Sequence, residues 1–150
     1  MLVIDFYFEI IRITQIKNLG GKIIMIFPEE LKYSKEHEWA KLTDNHIIVG
    51  ITDFAQSELG DIVYVELPNI GAQVFANEKF GEVESVKSVS NLYSPVNGKI
   101  IEVNDALSDS PQLVNEAPYT DGWMIKVKPD ADSGFDKLLT ADEYKKLIGQ

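Results

Sequence analysis

The sequence predicts a mainly β protein, a sandwich or barrel decorated by short helices, and three observations support this. Short runs of β-branched and aromatic residues recur between turn signals, as they do in all-β folds. Helical spacing is confined to two short segments, and strands do not alternate with helices as they do in a parallel α/β fold. With 150 residues, of which 45% are hydrophobic, the chain can bury a core of its own.

A hairpin followed by a short helix is predicted first. Apolar and aromatic residues of the segment 33–51 lie on both sides of a polar turn at residues 43–45, which is a hairpin pattern. A helix then starts near Asp53, because Gln56 follows Asp53 at the spacing of a capping box. Gly60 is placed to end this helix as its C-terminal cap.

The middle of the chain carries five further predicted strands, each rich in β-branched or aromatic residues. They cover residues 62–67, 73–75, 80–86, 89–93 and 99–103. A short turn separates the strands over 80–86 and 89–93, which predicts a second hairpin. Asn97-Gly98 is the dipeptide that two-residue type I′ turns favour, so a third hairpin is expected there.

The last third of the chain combines a loop, a strand and a helix. Residues 104–121 form a predicted polar loop with prolines, and the segment 122–128 alternates like a half-buried strand. One face of that strand would carry Trp123, Ile125 and Val127. Thr140 and Glu143 form a capping box that starts a C-terminal helix. The apolar stripe of this helix would contain Tyr144, Leu147 and Ile148.

The first 25 residues differ from the rest of the chain. Their uncharged runs are shorter than the roughly 20 residues that a membrane span requires, and acidic residues interrupt the apolar segment that a signal peptide needs. Two interpretations remain, an additional N-terminal element or sequence upstream of a translation start at Met25. We favour the second, because the codons of residues 20–22 can spell a purine-rich ribosome-binding sequence. The expected division is an extension over residues 1–25 and a domain over residues 26–150.

Composition excludes several classes of function. With 14 basic and 24 acidic side chains the net charge is −10, which argues against binding to nucleic acids or anionic membranes. The chain has no cysteine, and therefore no disulfide framework, thiolate metal site or cysteine nucleophile. His37 and His46 lie on opposite arms of the first predicted hairpin without a carboxylate cluster, so we interpret both as surface residues and expect no metal site. We expect no autonomous enzyme, because the remaining residues assemble no pair of nucleophile and base.

One lysine occupies a position suited to covalent modification. If residues 85–88 form the turn of the second hairpin, the ammonium group of Lys87 projects from its tip, where another enzyme can reach it. Catalysis by the lysine itself is not expected, because a Schiff-base lysine requires burial or a neighbouring cation, whereas the neighbours Glu82 and Glu84 are anionic. A merely solubilising surface lysine is the alternative that this geometry leaves open.

Several motifs spaced along the chain occur together in one order. Around the lysine they are Glu84-Ser85-Val86-Lys87, Ser94-Pro95, Gly98 and Glu102-Val103-Asn104. Elsewhere they are Lys32-Tyr33, His37-Glu38-Trp39, Gly50-Ile51-Thr52-Asp53, Ala55-Gln56, Leu59-Gly60, Val65-Glu66-Leu67-Pro68 and Tyr119-x-Asp121-Gly122-Trp123-Met124. Over residues 27–147 the chain thereby resembles the H proteins of the glycine cleavage system. The resemblance implies a barrel-sandwich hybrid fold of the lipoyl and biotinyl type.

The resemblance also implies a cofactor and a set of partners. In H proteins the lysine is joined to lipoic acid by an amide bond, which implies N6-lipoyllysine at Lys87 and a carrier without turnover of its own. The arm would take the aminomethyl group of glycine from a pyridoxal-phosphate glycine decarboxylase, the P protein. It would present this group to a tetrahydrofolate-dependent aminomethyltransferase, the T protein, and be reoxidised by dihydrolipoamide dehydrogenase, the L protein. Attachment requires a lipoate ligase or a lipoyl or octanoyl transferase, and we expect this chemistry in the bacterial cytoplasm.

A surface cleft that shelters the loaded arm is a further implication of the resemblance. Glu38 matches a carboxylate that helps to hold the cationic amine in this cleft, and a solvated strand carboxylate is the alternative. Glu58 and Asn91 stand where some members have His and Asp, which leaves their individual roles open. Glu84, beside the lysine, is a candidate for recognition by the enzyme that attaches lipoate.

Two alternatives to a glycine cleavage carrier remain open from the sequence. The first is a lipoyl-relay protein, which hands lipoate to the lipoyl domains of other enzymes, as some members of the family do. The second is an unmodified interaction domain that kept the fold, in which Lys87 would remain a free amine in the cell.

Overall fold

The computed structural model describes residues 24–150, and most of the predicted extension, residues 1–23, lies outside the described residues. The described part contains nine strands and four α-helices. The strands are β1 (Lys32–Tyr33), β2 (Glu38–Leu42), β3 (Ile47–Ile51), β4 (Ile62–Glu66), β5 (Gln73–Val74), β6 (Lys79–Ser85), β7 (Val89–Tyr93), β8 (Gly98–Val103) and β9 (Ile125–Pro129). The helices are α1 (Asp53–Leu59), α2 (Ala106–Asp109), α3 (Leu113–Glu116) and α4 (Ala141–Leu147).

The described strands form two antiparallel sheets. The larger sheet has the strand order β1-β2-β3-β9-β8-β5, and the smaller has the order β4-β6-β7. The pairing register shifts within β4, β6 and β8, and such bulges bend a strand and increase its twist. The two sheets thereby curve around one core. The prediction of a mainly β, barrel-sandwich fold with a C-terminal helix is confirmed.

The larger sheet separates two hydrophobic clusters. Successive strand residues point to opposite faces of a sheet, and β3 shows this clearly. Ile47, Val49 and Ile51 are buried in the main core between the sheets, whereas Ile48 packs on the opposite face. On that face lies a second group, which we call the aromatic cluster. Its buried members are Phe27, Leu31, Tyr33, Trp39, Ala141 and Tyr144.

The aromatic cluster joins both ends of the described chain to the larger sheet. The rings of Tyr33 in β1 and Tyr144 in α4 are stacked with centroids 4.9 Å apart. The hydroxyl of Tyr33 donates a hydrogen bond of 2.6 Å to the carbonyl of Pro28. The indole N–H of Trp39 in β2 donates to the carbonyl of Pro118 at 3.0 Å. The C-terminal helix is thus part of the domain's packing and not an appendage.

The helix predicted near Asp53 exists, but its cap is the preceding residue. Thr52 has an extended backbone, and its hydroxyl accepts a hydrogen bond of 3.1 Å from the N–H of Ala55. Asp53 is the first helical residue, and its carboxylate instead accepts from the amide of Gln56 at 2.7 Å. The predicted C-terminal cap is confirmed, because Gly60 ends α1 with φ of +81°.

The type I′ turn predicted at Asn97-Gly98 is wrong. Such a turn needs positive φ at both residues, and neither has it. The strands before and after this dipeptide, β7 and β8, belong to different sheets, so there is no hairpin to close. Glycine is required at position 98 for a different reason. A Cβ atom there would lie 2.3 Å from the carbonyl oxygen of Lys128 on the neighbouring strand, so any side chain would clash.

The C-terminal third differs from its prediction in four details. Trp123 packs against the aromatic cluster, whereas Ile125 and Val127 are buried in the main core, so the three do not share one face. The polar segment 104–121 contains the short helices α2 and α3, and β9 begins at residue 125 instead of 122. The capping box of Thr140 and Glu143 is present. Leu147, however, is 49% exposed, so it does not belong to the buried stripe of α4. Among residues 24–150, no α-helix combines the length and the hydrophobicity of a membrane span.

Candidate functional site

The hairpin between β6 and β7 presents Lys87 at its tip. The last paired residues are Glu84 and Val89, and the N–H of Ser85 donates to the carbonyl of Ser88 at 2.8 Å. The hydroxyl of Ser85 accepts hydrogen bonds from the N–H groups of Lys87 (3.3 Å) and Ser88 (3.1 Å). These bonds order the backbone of the turn, while the side chain of Lys87 is exposed. The predicted turn over residues 85–88 is confirmed.

The tip of this hairpin lies against the end of α1. The N–H of Val86 donates a hydrogen bond of 3.1 Å to the carbonyl of Asp61. A Cβ atom built on Gly60 would lie 3.6 Å from Cε of Lys87, so the lysine side chain passes close to the end of the helix. The position of Lys87 is therefore defined relative to α1 as well as to its own hairpin.

A surface cleft of about 410 Å³ lies beside this tip. It is bounded by the turn before β2, by α1 and by strands β6 and β7. The described residues that line it are Glu36, His37, Glu38, Ile51, Phe54, Ala55, Glu58, Leu59, Val83, Ser90, Asn91 and Leu92. This lining combines apolar side chains with three carboxylates and includes neither lysine nor arginine. Leu59, one of the lining residues, directly precedes the glycine that Lys87 approaches.

Glu38 is the most deeply buried carboxylate of the cleft, with 2% of its surface exposed. Its Oε1 accepts a hydrogen bond of 2.7 Å from the hydroxyl of Ser34. Burial raises the pKa of Glu38 to about 8, and the hydrogen bonds from Ser34 and from the backbone of Tyr93 act in the opposite direction. Glu38 is therefore not the solvated strand carboxylate that was the alternative prediction.

A tight turn between β1 and β2 places Glu38 in the cleft. The N–H of His37 donates to the carbonyl of Ser34 at 3.2 Å, and the N–H of Ser34 donates to the carbonyl of Glu38 at 2.9 Å. His37 has φ of +74°, in the left-handed region that histidine visits more readily than most residues. A turn followed by one left-handed residue is a common three-residue hairpin connection. It turns the chain so that Glu38 begins β2 with its side chain buried.

His37, which we interpreted as a surface residue, is half-buried and takes part in a hydrogen-bond network. Its Nδ1 lies 2.8 Å from the hydroxyl of Tyr144, which lies 2.9 Å from the hydroxyl of Thr52, the cap of α1. Burial lowers the pKa of His37 and raises that of Tyr144 to about 12, so at neutral pH the imidazole is uncharged and the phenol protonated. The phenol can then donate to Nδ1 and accept from Thr52. This network joins α4 to two walls of the cleft.

The other predicted site residues occupy different positions. Glu58, on α1, and Asn91, on β7, both line the cleft and are exposed. The side-chain amide of Asn91 donates to the hydroxyl of Tyr93 at 3.4 Å. Glu84 does not line the cleft, because it lies on the exposed face of the smaller sheet between Tyr64 and Val89. The cleft thus brings together Glu38, Glu58 and Asn91, whereas Glu84 stands beside Lys87.

Sequence reasoning missed Ser34 and Tyr144, which hold Glu38 and His37 from outside the cleft. Ser34 carried a weak signal, a small hydroxyl residue four positions before a glutamate across a turn. Tyr144 carried none beyond its helical spacing, because its contacts are with residues more than 90 positions away. Within residues 24–150 the structure contains no group of three or more His, Cys, Asp or Glu side chains arranged to hold a metal ion.

Comparisons with known proteins agree on one family. The family model described as glycine cleavage H-protein matches residues 31–150. A glycine cleavage system H protein of Anoxybacillus flavithermus is 57% identical over 126 residues, which are 84% of this chain and 99% of the relative. One from Geobacillus kaustophilus is 58% identical over 123 residues, 82% of this chain and 97% of the relative. The crystal structure of such a protein from Mycobacterium marinum matches with a TM-score of 0.77 at 42% identity, covering 83% of this chain and all of that one.

Proposed function

The chain belongs to the glycine cleavage H-protein family, and we propose that it is the lipoylated carrier of a glycine cleavage system, with lipoic acid attached to Nζ of Lys87. The carrier receives the aminomethyl group of glycine from the glycine decarboxylase, the P protein. It delivers this group to the aminomethyltransferase, the T protein, and its arm is reoxidised by dihydrolipoamide dehydrogenase, the L protein. The protein is a carrier subunit, and the reactions take place on the cofactors of its partners. We place this role in the bacterial cytoplasm, since the named relatives are bacterial.

The observation that carries the proposal is the position of Lys87 between solvent and cleft. Its side chain is exposed at an ordered hairpin tip, so an attaching enzyme can reach Nζ. Its Cε also passes close to Gly60, next to the cleft. A long arm attached at this point can swing outward to a partner enzyme or fold back along α1. A lysine serving only solubility requires neither an ordered tip nor an adjoining cleft.

The chemistry of the cleft fits such an arm. Apolar side chains of Ile51, Leu59 and Val83 suit the aliphatic part of a lipoyl group. The acidic side chains of Glu38 and Glu58 suit a cationic amine at the end of the loaded arm, because the positive charge of the amine favours the ionised form of the buried Glu38. When attached, a lipoyl group would supply a disulfide as acceptor for the aminomethyl group, and the electrons for its reduction would come from the bond of glycine that breaks when carbon dioxide leaves on the decarboxylase. The residues of the cleft exclude water from the bound amine and hold it by charge.

Recognition by the attaching enzyme, a lipoate ligase or a lipoyl or octanoyl transferase, is assigned to the surface around the tip. That enzyme must bring its active site to Nζ of Lys87 before any arm exists, so it must cover the flanking residues. Glu84 is exposed on this surface, where a carboxylate can pair with a basic partner. The net charge of −10 extends this complementarity over the whole molecule.

The test is mass spectrometry of the intact protein and of its peptides after purification from lipoate-replete cells of its own host. We expect a lipoyl-sized increment on the peptide that contains Lys87, and its loss in Lys87→Ala. Lys99→Ala, which removes another exposed lysine, is the matched control and should keep the increment. The same spectrum shows whether translation starts at Met1 or Met25.

Other outcomes would assign the protein differently. A free amine at Lys87 in lipoate-replete cells would overturn the carrier proposal and leave an unmodified interaction domain. A biotinyl increment would contradict the proposed cofactor. Transfer of the lipoyl group from Lys87 to the lipoyl domain of another enzyme, measured with purified transferase, would identify a lipoyl relay.

A further inference from the structure

The hydroxyl of Ser34 has a fixed orientation next to Glu38. Its oxygen accepts a hydrogen bond of 3.0 Å from the backbone N–H of Glu38, and its proton is donated to Oε1 of the same residue at 2.7 Å. A backbone N–H can only donate, so the serine oxygen is the acceptor in the first bond. The single hydroxyl proton is therefore committed to the second. Ser34 itself is buried, with 7% of its surface exposed.

We propose that Ser34 is a positioning residue of the arm cleft, whose hydroxyl holds Oε1 of Glu38 so that the carboxylate presents itself as an acceptor to a cationic amine. This inference rests on the proposed function, because it assumes that the loaded arm enters the cleft. A carboxylate offers about four lone-pair sites. The bond to Ser34 occupies one of them and leaves the group able to accept from an amine.

The surroundings of Glu38 explain why its carboxylate needs a hydrogen-bond donor such as Ser34. Burial removes most of the hydration of Glu38, and the negative charge of Glu36 lies in the same cleft. Both effects favour the protonated carboxyl, which binds a cation poorly. His37, the other titratable group of the lining, is uncharged at neutral pH because burial lowers its pKa. Among the described lining residues the cleft therefore offers no fixed cation, and hydrogen-bond donors must stabilise the carboxylate.

Three variants separate the hydroxyl of Ser34 from its bulk. Ser34→Ala removes the donor, and Ser34→Thr keeps a hydroxyl at the same position. Ser94→Ala is the matched control, because Ser94 is a buried turn serine with the same double role: its oxygen accepts the N–H of Val96 and its hydroxyl donates to the carbonyl of Val96. Ser94 does not line the cleft. Thermal unfolding of each full-length variant establishes that it is folded under the conditions used.

The first measurement is a pH titration of the Glu38 carboxyl by ¹³C NMR in the full-length protein without the arm, with Glu38→Gln identifying its signal. We expect Ser34→Ala to raise the midpoint of Glu38 by about one pH unit, the size expected for a lost hydrogen bond to a charged group. Ser34→Thr should restore the midpoint, and Ser94→Ala should leave it unchanged. A midpoint in Ser34→Ala equal to or below that of the unsubstituted protein overturns the inference.

The second measurement is the rate at which the loaded, lipoylated protein releases its amine to water. At neutral pH Ser34→Ala should release it up to about tenfold faster, because a shift of one pH unit lowers the ionised fraction of Glu38 by up to that factor. The difference in release rate between Ser34→Ala and the unsubstituted protein should shrink at pH values above the shifted midpoint of Glu38. The variant Glu38→Gln distinguishes a failure of the proposed role of Glu38 from a failure of the proposed role of Ser34. If Glu38→Gln releases the amine at the rate of the unsubstituted protein, the proposed amine-binding role of Glu38 is wrong, and the role of Ser34 is wrong with it. If only the titration midpoint of Glu38 stays unchanged in Ser34→Ala, the role of Ser34 alone is rejected.

Discussion

At the scale of single residues, Lys87 and Glu38 are held in opposite environments for complementary reasons. Lys87 is exposed on an ordered turn, where an attaching enzyme can reach it. Glu38 is almost completely buried, where its charge is costly unless a cation or hydrogen-bond donors are present. Under the proposed function this burial would let the cleft distinguish a loaded arm from an unloaded one, because a cationic amine stabilises the ionised carboxylate of Glu38 and a neutral arm does not.

The burial of Glu38 predicts an unusual dependence of stability on pH. Its pKa rises from 4.5 in the unfolded chain to about 8 in the folded protein, so the folded state binds the proton more tightly. The free energy of unfolding should fall as pH rises from about 4.5 to 8, by up to about 1.4 kcal/mol per pH unit from this group, and then level off. Glu38→Gln, which carries no titrating proton, should remove this component.

Urea unfolding of the full-length protein at pH 5, 6, 7 and 8 measures this effect. The difference in unfolding free energy between the unsubstituted protein and Glu38→Gln should decrease steadily over this range. Asn91→Ala changes an exposed side chain of the same cleft that carries no titrating proton, and it serves as control with a curve parallel to that of the unsubstituted protein. Parallel curves for Glu38→Gln and the unsubstituted protein would contradict the raised pKa of Glu38.

At the scale of elements, two helices begin with a threonine cap but use it differently. Thr140 caps α4 at the surface, where its hydroxyl accepts the N–H of Glu143. Thr52 caps α1 in the interior, with none of its surface exposed, and its hydroxyl also contacts that of Tyr144. The cap of α1 is thus a contact between distant parts of the chain, and it fixes the helix wall of the cleft.

This difference predicts unequal effects of the same substitution. Thr140→Ala should lower the free energy of unfolding by about 1 kcal/mol, the usual value for a lost cap. Thr52→Ala should cost about 2–4 kcal/mol, because it also leaves the buried hydroxyl of Tyr144 without this partner. Denaturant unfolding of both variants under identical conditions measures the two losses. Equal losses would show that the contact between Thr52 and Tyr144 contributes nothing to stability.

At the scale of the whole molecule, the cleft depends on packing at its opposite side. Tyr144 in α4 stacks on Tyr33, and its hydroxyl contacts His37 and Thr52 at the cleft. The aromatic cluster therefore supports the turn that carries Glu38 as well as the start of α1. The C-terminal helix contributes to the site without lining it.

Two substitutions on α4 test this support. Tyr144→Ala should lower the free energy of unfolding by about 3–5 kcal/mol, because it opens a cavity among buried aromatic rings. Leu147→Ala, on the same helix but 49% exposed, should change it by less than about 0.5 kcal/mol. Urea unfolding of both variants gives the comparison. A loss in Tyr144→Ala no larger than that in Leu147→Ala would mean that α4 is only loosely attached.

The sequence by itself determined those features that depend on neighbouring residues. Hydrophobic alternation and turn residues located the first hairpin, the β6–β7 hairpin with Lys87 at its tip, and the capping box of α4. Short-range patterns specify such elements because the interacting groups are a few residues apart. The order of motifs along the chain also identified the family before any contact was known, and the comparisons confirmed it.

Only the tertiary structure decided how these elements meet. Asn97-Gly98 fits a type I′ turn locally, yet the strands around it diverge into separate sheets, and a neighbouring strand explains the glycine. The burial of Glu38, its bond to Ser34 and the link from His37 to Tyr144 depend on segments brought together by folding. Desolvation and long-range hydrogen bonds leave no repeating pattern in the sequence, because the groups involved are far apart along the chain. For that reason the electrostatics of the cleft emerge only when both sheets and α4 are in place.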